Sequence, residues 1–421
     1  MNCAEALRFL ERRQETRWKL GLERIEGLVT GLGRPQRGFP SIHVAGTNGK
    51  GSVCAMLDSI LRASGRRVGL FTSPHLVTPR ERIRIDGQPI PPQDFARILT
   101  QVRAAEREEA SYFELVTAAA FLYFKECEVD IAVFETGLGG RLDATNVLRP
   151  VLSVITSIDI DHTLHLGSTT EAIAREKAGI IKPEVPCLCG AESFSAVEVF
   201  RRRARTLGSR FVSVKPRAKT VEARWRQGTQ TFETDGRRYE LALLGAAAAR
   251  NAAFTLAAAD ELRRLGFAIK EEDAARGLAE LTWPARFQVL PQVGGRTMIL
   301  DGAHNLAAME AFVDTWKASP WRDEATIIFG VLEDKDYAGM IRALAPYAKR
   351  VVAAQVDSRR ALSPDVIAKH FQAAGVHSVE TAHTPRRAIE RWLASEYSVA
   401  AVLGSFYLVG SVLDRVEEVV V

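Results

Sequence analysis

Between Ser41 and Ser52 the chain reads Ser-Ile-His-Val-Ala-Gly-Thr-Asn-Gly-Lys-Gly-Ser, an apolar run entering a glycine-rich turn that carries one lysine. Val53 to Leu61 then has a helical pattern. Backbone N–H groups at a tight glycine turn and a helix N-terminus point at one spot, where the helix dipole adds partial positive charge. Lys50 supplies a full charge, and the Ser52 hydroxyl can face a Mg²⁺ ion. Gly49, Lys50, Gly51 and Ser52 therefore form a candidate polyphosphate cradle, with ATP the expected ligand. The standard P-loop places four residues between its first glycine and Gly-Lys, with Ser or Thr directly after the lysine. Here only Thr47 and Asn48 intervene, and Gly51 separates Lys50 from Ser52. A plain strand-to-helix turn that uses glycine for positive φ is the alternative; three glycines around a lysine exceed what it needs.

Other chemistry-bearing residues fall where apolar runs end. Asp130-Ile-Ala-Val-Phe-Glu135 is an apolar strand ending in a carboxylate, the place where phosphate-binding α/β proteins hold Mg²⁺ or its water. Gly137, Gly139 and Gly140 follow it, then Arg141, Leu142 and Asp143, a loop shaped for close backbone approach. The next strand ends in Ser157-Ile-Asp159-Ile-Asp161-His162, carboxylates and an imidazole that could complete an oxygen and nitrogen shell. Mg²⁺ prefers oxygen, so His162 is an odd choice on chemistry alone. His165 fits no zinc helix and reads as a surface or core histidine. Lys177, on a helix-like stretch from Glu171 to Ile180, reads as a solvated charge. Asp301, His304 and Asn305 cluster after a further strand, with a helix cap by Asn305 explaining part of the pattern.

The elements that must position these residues alternate. Ile42–Ala45, Val68–Phe71, Ile131–Phe134 and Val151–Ile155 read as short buried strands, separated by amphipathic segments such as Asp94–Glu106 and Leu115–Lys125. This alternation predicts a mostly parallel sheet with helices on both faces, and ligands beyond the carboxyl ends of the strands. From Arg210 to Leu244 shorter polar β-like pieces appear, including Phe211–Val214, with a hairpin at Asp235-Gly236. Helices at Ala246–Leu265 and Glu271–Leu281 follow, and Trp283–Phe287 reads as a break. Alternation then restarts with strands at Met298–Leu300, Ala325–Phe329, Val351–Ala354 and Ala400–Leu403. The expected fold is α/β: a P-loop-containing, mostly parallel sheet domain with a small β insertion over residues 1–289, and a smaller Rossmann-like α/β domain over residues 290–421.

The 421 residues, 47% apolar and 25% charged, exceed one comfortable core and contain no run of roughly 20 apolar residues that would span a bilayer. No secretory signal is visible at the N-terminus, and the five cysteines have neither disulfide nor zinc spacing, so reduced thiols in a cytoplasm are expected. The net charge of +5 gathers around Arg201, Arg202, Arg203, Arg205, Lys215, Arg217 and Lys219 without interleaved aromatics, which reads as a solvated face and not a nucleic-acid surface.

Taken together the motifs resemble the folylpolyglutamate synthase and dihydrofolate synthase family of the Mur ligase superfamily. The resemblance runs over nearly the whole chain: Leu20–Ile25, Gly46–Ser52, Ser73-Pro-His-Leu76, Glu81-Arg-Ile83, Tyr112–Glu114, Glu135–Asn146, Asp161-His-Thr163, Glu176–Ile180 and Asp301–Asn305. It implies that Gly49, Lys50, Gly51 and Ser52 hold ATP phosphates and that Ser73, Glu135 and His162 are Mg²⁺ ligands. Lys177 matches a lysine that is carbamylated in similar enzymes, able to bind a second metal. Asn251, Arg286 and Asp301 match nucleotide contacts, with His304 beside them as a catalytic candidate. Ser111, Tyr112, Phe113 and Glu114, with Leu142, Asp143 and Ala144, match a pterin pocket. The implied activity is ATP-dependent ligation of L-glutamate to dihydropteroate, a tetrahydrofolyl glutamate, or both, through an acyl phosphate, by a cytoplasmic monomer with no nucleic-acid or membrane partner. A Mur-type peptidoglycan precursor ligase and a nucleic-acid-stimulated ATPase are the rival readings. The chain departs from the family at Ala247-Ala248, where relatives often carry His-Gln, and at Pro79-Arg80, where Asn often precedes Glu-Arg.

Overall fold

The computed structural model describes residues 1–14, 21–159, 167 and 169–420. The chain divides into two compact units, Met1–Pro216 with Asn251–Glu280, and Arg217–Arg250 with Leu281–Val421.

The first unit is built on eight strands: β1 (Ser41–Ala45), β2 (Val68–Phe71), β3 (Ile83–Ile85), β4 (Gln88–Pro89), β5 (Ile131–Glu135), β6 (Leu152–Ile155), β7 (Cys187–Cys189) and β8 (Phe211–Ser213). Their order is β4-β3-β2-β5-β1-β6-β7-β8. All contacts from β2 to β8 are parallel; β3 and β4 add an antiparallel edge. β1, β2, β5 and β6 are buried at every position, which is why they appear in the sequence as unbroken apolar runs and not as alternation. After β1 the chain builds outward on both sides, through β2 and β5 on one and β6 on the other. The tips of β5, β1 and β6 thus share the edge where such sheets place ligands.

Helix Tyr112–Glu126 is apolar nearly all round and buried from Leu115 to Phe124, so it lies inside the core and not on its surface. Phe121, Phe124 and Phe71 converge on Phe134 of β5 with ring centroids 5.0, 5.6 and 5.6 Å away. The helix Lys50–Ala63, which follows the glycine turn, is fully buried from Gly51 to Leu61. Helix Glu271–Ala279 packs on it at Gly277, where a Cβ would come 2.6 Å from Ile60 Cα, and Ser59 Oγ donates 2.7 Å to the Gly277 carbonyl.

In the second unit β9 (Lys219–Arg224), β10 (Thr229–Thr234) and β11 (Arg237–Leu241) form an antiparallel sheet. Its expected Asp235-Gly236 hairpin is present, both residues at positive φ. The other six strands are β12 (Gln288–Val293), β13 (Arg296–Leu300), β14 (Ala325–Phe329), β15 (Arg350–Ala354), β16 (Ser378–Ala382) and β17 (Val399–Leu403). They run β12-β13-β17-β14-β15-β16, parallel except at β12–β13.

The α/β reading holds, with local corrections. Phe211–Ser213 is not part of the small polar sheet; it pairs parallel with β7 as the edge of the large one. An edge strand is only half-buried, so its mixed composition resembles that of the insertion. The break at Trp283–Phe287 leads directly into β12, whose exposed Pro291 and Gln292 mask its strand character. Among the described residues no helix is long and apolar enough to cross a membrane.

Candidate active site

The turn after β1 is fastened to the tip of β6. Thr47 N donates to Ser157 O at 2.8 Å, Thr156 Oγ1 donates to Asn48 O at 2.7 Å, and Asn48 Nδ2 donates to Asp159 Oδ2 at 3.2 Å. Gly46 sits at φ +155, and a Cβ there would collide with Thr156 Oγ1, so only glycine permits this approach. Gly49, at φ +82, begins the helix; a Cβ on it would lie 2.8 Å from Asn251 Oδ1, which places Asn251 beside the turn. Lys50 Nζ folds back to donate to Gly46 O at 3.1 Å and Thr47 O at 3.0 Å.

Lys177 is not the solvated charge its helix pattern implies. It is 3% exposed, and its Nζ donates 2.7 Å to the same Gly46 carbonyl. Two cations from separate elements therefore meet at one backbone oxygen of the turn. Glu135, also 3% exposed, accepts from Ser73 N at 3.0 Å, joining the ends of β5 and β2. The fully buried Cys54 thiol feels the charges of both Glu135 and Lys50. Burial foremost, then the Glu135 charge, push its pKa well up, while Lys50 acts in the opposite direction. A carboxylate, a serine and an ammonium thus gather at the β2–β5–β1 edge. His162, Asp161 and His165 lie outside the described residues. Among the described residues no group of three His, Cys, Asp or Glu side chains could by itself hold a metal.

The pterin-segment residues are mostly braces. Ser111 and Glu114 form a capping box: Ser111 N donates to Glu114 Oε2 at 2.7 Å, Glu114 N to Ser111 Oγ at 3.3 Å. Glu114 also pairs with Arg24 at 3.2 Å. Asp143 accepts from Leu138 N at 2.8 Å, Thr145 N at 3.0 Å and Thr145 Oγ1 at 2.5 Å. Its carboxyl is raised because burial outweighs these bonds. Thr145 Oγ1 in turn meets His43 Nε2 at 2.7 Å, and burial, with Lys182 nearby, lowers His43 to about 3. Tyr112 and Ala144 are buried, leaving Phe113 and Leu142 as the half-exposed surface of these segments. The Phe113 ring lies 5.8 Å from that of Phe71 and covers Gly137.

In the second unit Asp301 and Arg286 are held by a strained turn. Ala285 and Phe287 both have left-handed φ, 58° and 43°, which non-glycine residues rarely adopt. Asp301 accepts from Phe287 N and Ala303 N, each at 2.8 Å. Burial raises the Asp301 carboxyl against the opposing pull of Arg286. The Arg286 guanidinium stands 4.7 Å over the Phe406 ring, and the His304 ring is 5.2 Å from the same ring. His304 Nδ1 donates to Gly302 O at 2.8 Å, because a carbonyl can only accept. Asn305 caps the next helix, accepting from Ala308 N at 2.9 Å. No motif in the sequence singles out Phe406: it lies 120 positions after Arg286 in a helix of ordinary apolar pattern.

The Mur ligase middle-domain family matches residues 44–259, and the Mur ligase glutamate ligase domain matches residues 285–406. Fold and motifs therefore define a Mur-type ligase. The dihydrofolate synthase/folylpolyglutamate synthase of Bacillus subtilis (strain 168) is 35% identical over 416 residues, covering 95% of this chain and 95% of that protein. The Escherichia coli FolC structure in complex with DHPP and ADP has a TM-score of 0.87 at 31% identity, covering 99% of this chain and 98% of that one. A bifunctional folylpolyglutamate synthase/dihydrofolate synthase from Yersinia pestis, complexed with AMPPNP and Mn ion, has a TM-score of 0.85 at 30% identity, covering 99% and 98%. This chain belongs to the dihydrofolate synthase/folylpolyglutamate synthase family.

Proposed function

We propose that the chain is an ATP-dependent ligase that joins L-glutamate to a folate, its acceptor being dihydropteroate, a tetrahydrofolyl glutamate, or both. The observation that carries this reading is the convergence of Lys50, Lys177 and Asn251 on one rigid glycine turn, with Glu135 and Ser73 at the neighbouring strand tips. A carboxylate is a poor acyl donor because its leaving group would be oxide. Transfer of the ATP γ-phosphoryl group to a carboxylate oxygen gives ADP and an acyl phosphate. The glutamate amine then attacks, and phosphate leaves from a tetrahedral intermediate.

The chain's own groups suit each part. Gly49, Gly51 and Ser52 present N–H groups at a helix N-terminus, and Lys50 adds charge where phosphoryl oxygens would sit. Ser73, Glu135 and His162 are proposed to hold Mg²⁺, and Lys177 a second ion only once carbamylated; the described oxygen donors, a carboxylate and a hydroxyl, suit a hard cation. Bound there, Mg²⁺ would neutralise phosphoryl charge. A carbamate on Lys177 would make its cation an anion at the Gly46 carbonyl; an intact mass showing plain lysine in active enzyme rejects it. Asn251, Arg286 and Asp301 are proposed nucleotide contacts, with His304 beside Arg286. Residues 1–289 would supply ATP binding, and residues 290–421 the glutamate-ligase role. Five free cysteines fit a cytoplasmic enzyme, and a monomer is proposed.

The test is glutamate incorporation by purified protein with dihydropteroate and with tetrahydrofolate, omitting ATP, acceptor and glutamate singly. ATP-, acceptor- and glutamate-dependent product is expected. Phosphate release that depends on added DNA or RNA, and not on the folate acceptor, overturns the reading.

A further inference from the structure

Arg82 and Arg350 are the two arginines that are buried among the described residues, at 8% and 9% exposure. Arg350 resolves its burial in the ordinary way, by an ion pair with Glu380 at 2.6 Å. Arg82 does not. Its Nε donates 2.8 Å to His75 Nδ1, its guanidinium lies 5.2 Å over the Tyr112 ring, and no carboxylate among the described residues pairs with it. His75 accepts at Nδ1, so it offers no negative charge in return. A cation withdrawn from water without a counter-ion is disfavoured unless another group supplies one.

The surroundings hold this guanidinium in place. Glu81 gathers the N–H groups of Leu76, Val77 and Thr78 at 2.9, 2.9 and 2.7 Å, which fixes the loop between Ser73 and Arg82. Thr72 N donates 3.1 Å to Arg82 O, tying that loop back to β2. One residue on, Ser73 N reaches Glu135. On the other side Tyr112 precedes Phe113, whose half-exposed ring covers Gly137 two residues after Glu135. Arg82 therefore belongs to the same ring of contacts as the proposed metal edge, and beside aromatic side chains.

We infer that Arg82 receives the carboxylate of the acceptor substrate. A planar fork of N–H donors matches the two oxygens of a carboxylate, and an aromatic acid would lay its ring along Tyr112 and Phe113. This rests on the ligase reading above, and it names a positioning and specificity role that the reading does not itself assign.

The test measures binding to the wild-type enzyme with AMPPNP and Mg²⁺ present, by calorimetric titration of dihydropteroate and of its carboxamide, in which the carboxylate is replaced by an uncharged amide. The carboxamide is expected to bind about tenfold to a hundredfold more weakly, the worth of charge-assisted hydrogen bonds. Arg82→Met loses dihydropteroate affinity by a similar factor, leaves carboxamide affinity within about twofold, and so abolishes the discrimination. Arg82→Lys, which keeps the charge without the fork, falls between. Equal wild-type affinity for the two ligands overturns the inference, and needs no variant that folds. So does an Arg82→Met enzyme that still discriminates, or one whose defect lies in ATP binding instead. A wild-type enzyme that ignores dihydropteroate and tetrahydrofolate alike rejects the ligase reading itself.

Discussion

Replacing Gly46 by alanine perturbs the turn at its tightest point. The residue sits at φ +155, and its new Cβ would occupy the space of Thr156 Oγ1, the hydroxyl that holds Asn48 O at 2.7 Å. The backbone conformation costs about 1–3 kcal/mol for a residue with a side chain. Displacing the hydroxyl forfeits one hydrogen bond, worth about 1 kcal/mol. Because β1 is pinned by parallel partners on both sides, most of the resulting 2–4 kcal/mol, roughly, falls on the turn that carries Lys50. If that cost appears in the transition state, kcat/KM for ATP drops roughly 30- to 1,000-fold. The assay is steady-state kinetics at saturating acceptor and glutamate, with a thermal melt beside it. Gly46→Ala combined with Thr156→Ala should cost no more than Gly46→Ala alone, because the single variant has already lost the Asn48 hydrogen bond that Thr156→Ala removes, a non-additivity readable as a double-mutant cycle. Gly46→Ala within about threefold of wild type, or a double variant whose loss is the full sum of the two single losses, would falsify the reasoning.

Three further outcomes are expected. Glu135→Gln should raise the Mg²⁺ concentration needed for half-maximal turnover by on the order of tenfold or more, since a neutral amide replaces a proposed anionic ligand; an unchanged Mg²⁺ titration removes Glu135 from the metal edge. Phe406→Ala takes away the ring under Arg286, a proposed nucleotide contact, and with it about 0.5–2 kcal/mol, so KM for ATP should rise roughly 2- to 30-fold; an unaltered KM counts against a nucleotide contact at Arg286 that depends on this ring. Asp58 is raised from 3.8 to about 6, mainly by burial and against the pull of Arg62. The folded state then holds a proton that the unfolded chain has lost, so stability should fall as pH rises from about 4 to 6 and stay lower above, by up to about 3 kcal/mol. Asp58→Asn should flatten that slope and stabilise the protein at pH 8, by denaturant titration; a slope that survives the substitution assigns it elsewhere.

The glycine turn, the strand ending in Glu135 and the Asp235-Gly236 hairpin were legible because each depends on local chemistry: glycine spacing, an apolar run, a turn dipeptide. Other features depend on partners distant in sequence. Nothing in a helical lysine announces that its ammonium will be buried against Gly46, as Lys177 is. The strain at Ala285 and Phe287 is invisible in residue types that ordinarily avoid positive φ. β3 and β4, three and two residues long, are too short to show alternation, although their Asp86-Gly87 turn carries the same chemistry as the Asp235-Gly236 hairpin. Asp143 and Glu114 lie in the segments expected for a pterin, but their carboxylates bind the backbone around them, so the accessible surface passes to Phe113 and Leu142.

Both compact units are discontinuous in the chain, which has a consequence for biosynthesis. The buried helix carrying Lys50 leans on a helix whose closest point, Gly277, is 218 residues downstream of Ser59. A ribosome adding about 5–20 residues per second takes about 10–40 s to cover that interval. For that time the nascent helix has one face without its native cover, and the intervening stretch from Arg217 to Arg250 must be set aside for the other unit before closure. Chaperone dependence and aggregation during translation should therefore respond to substitutions at Ser59 and Gly277, although neither residue belongs to the catalytic machinery.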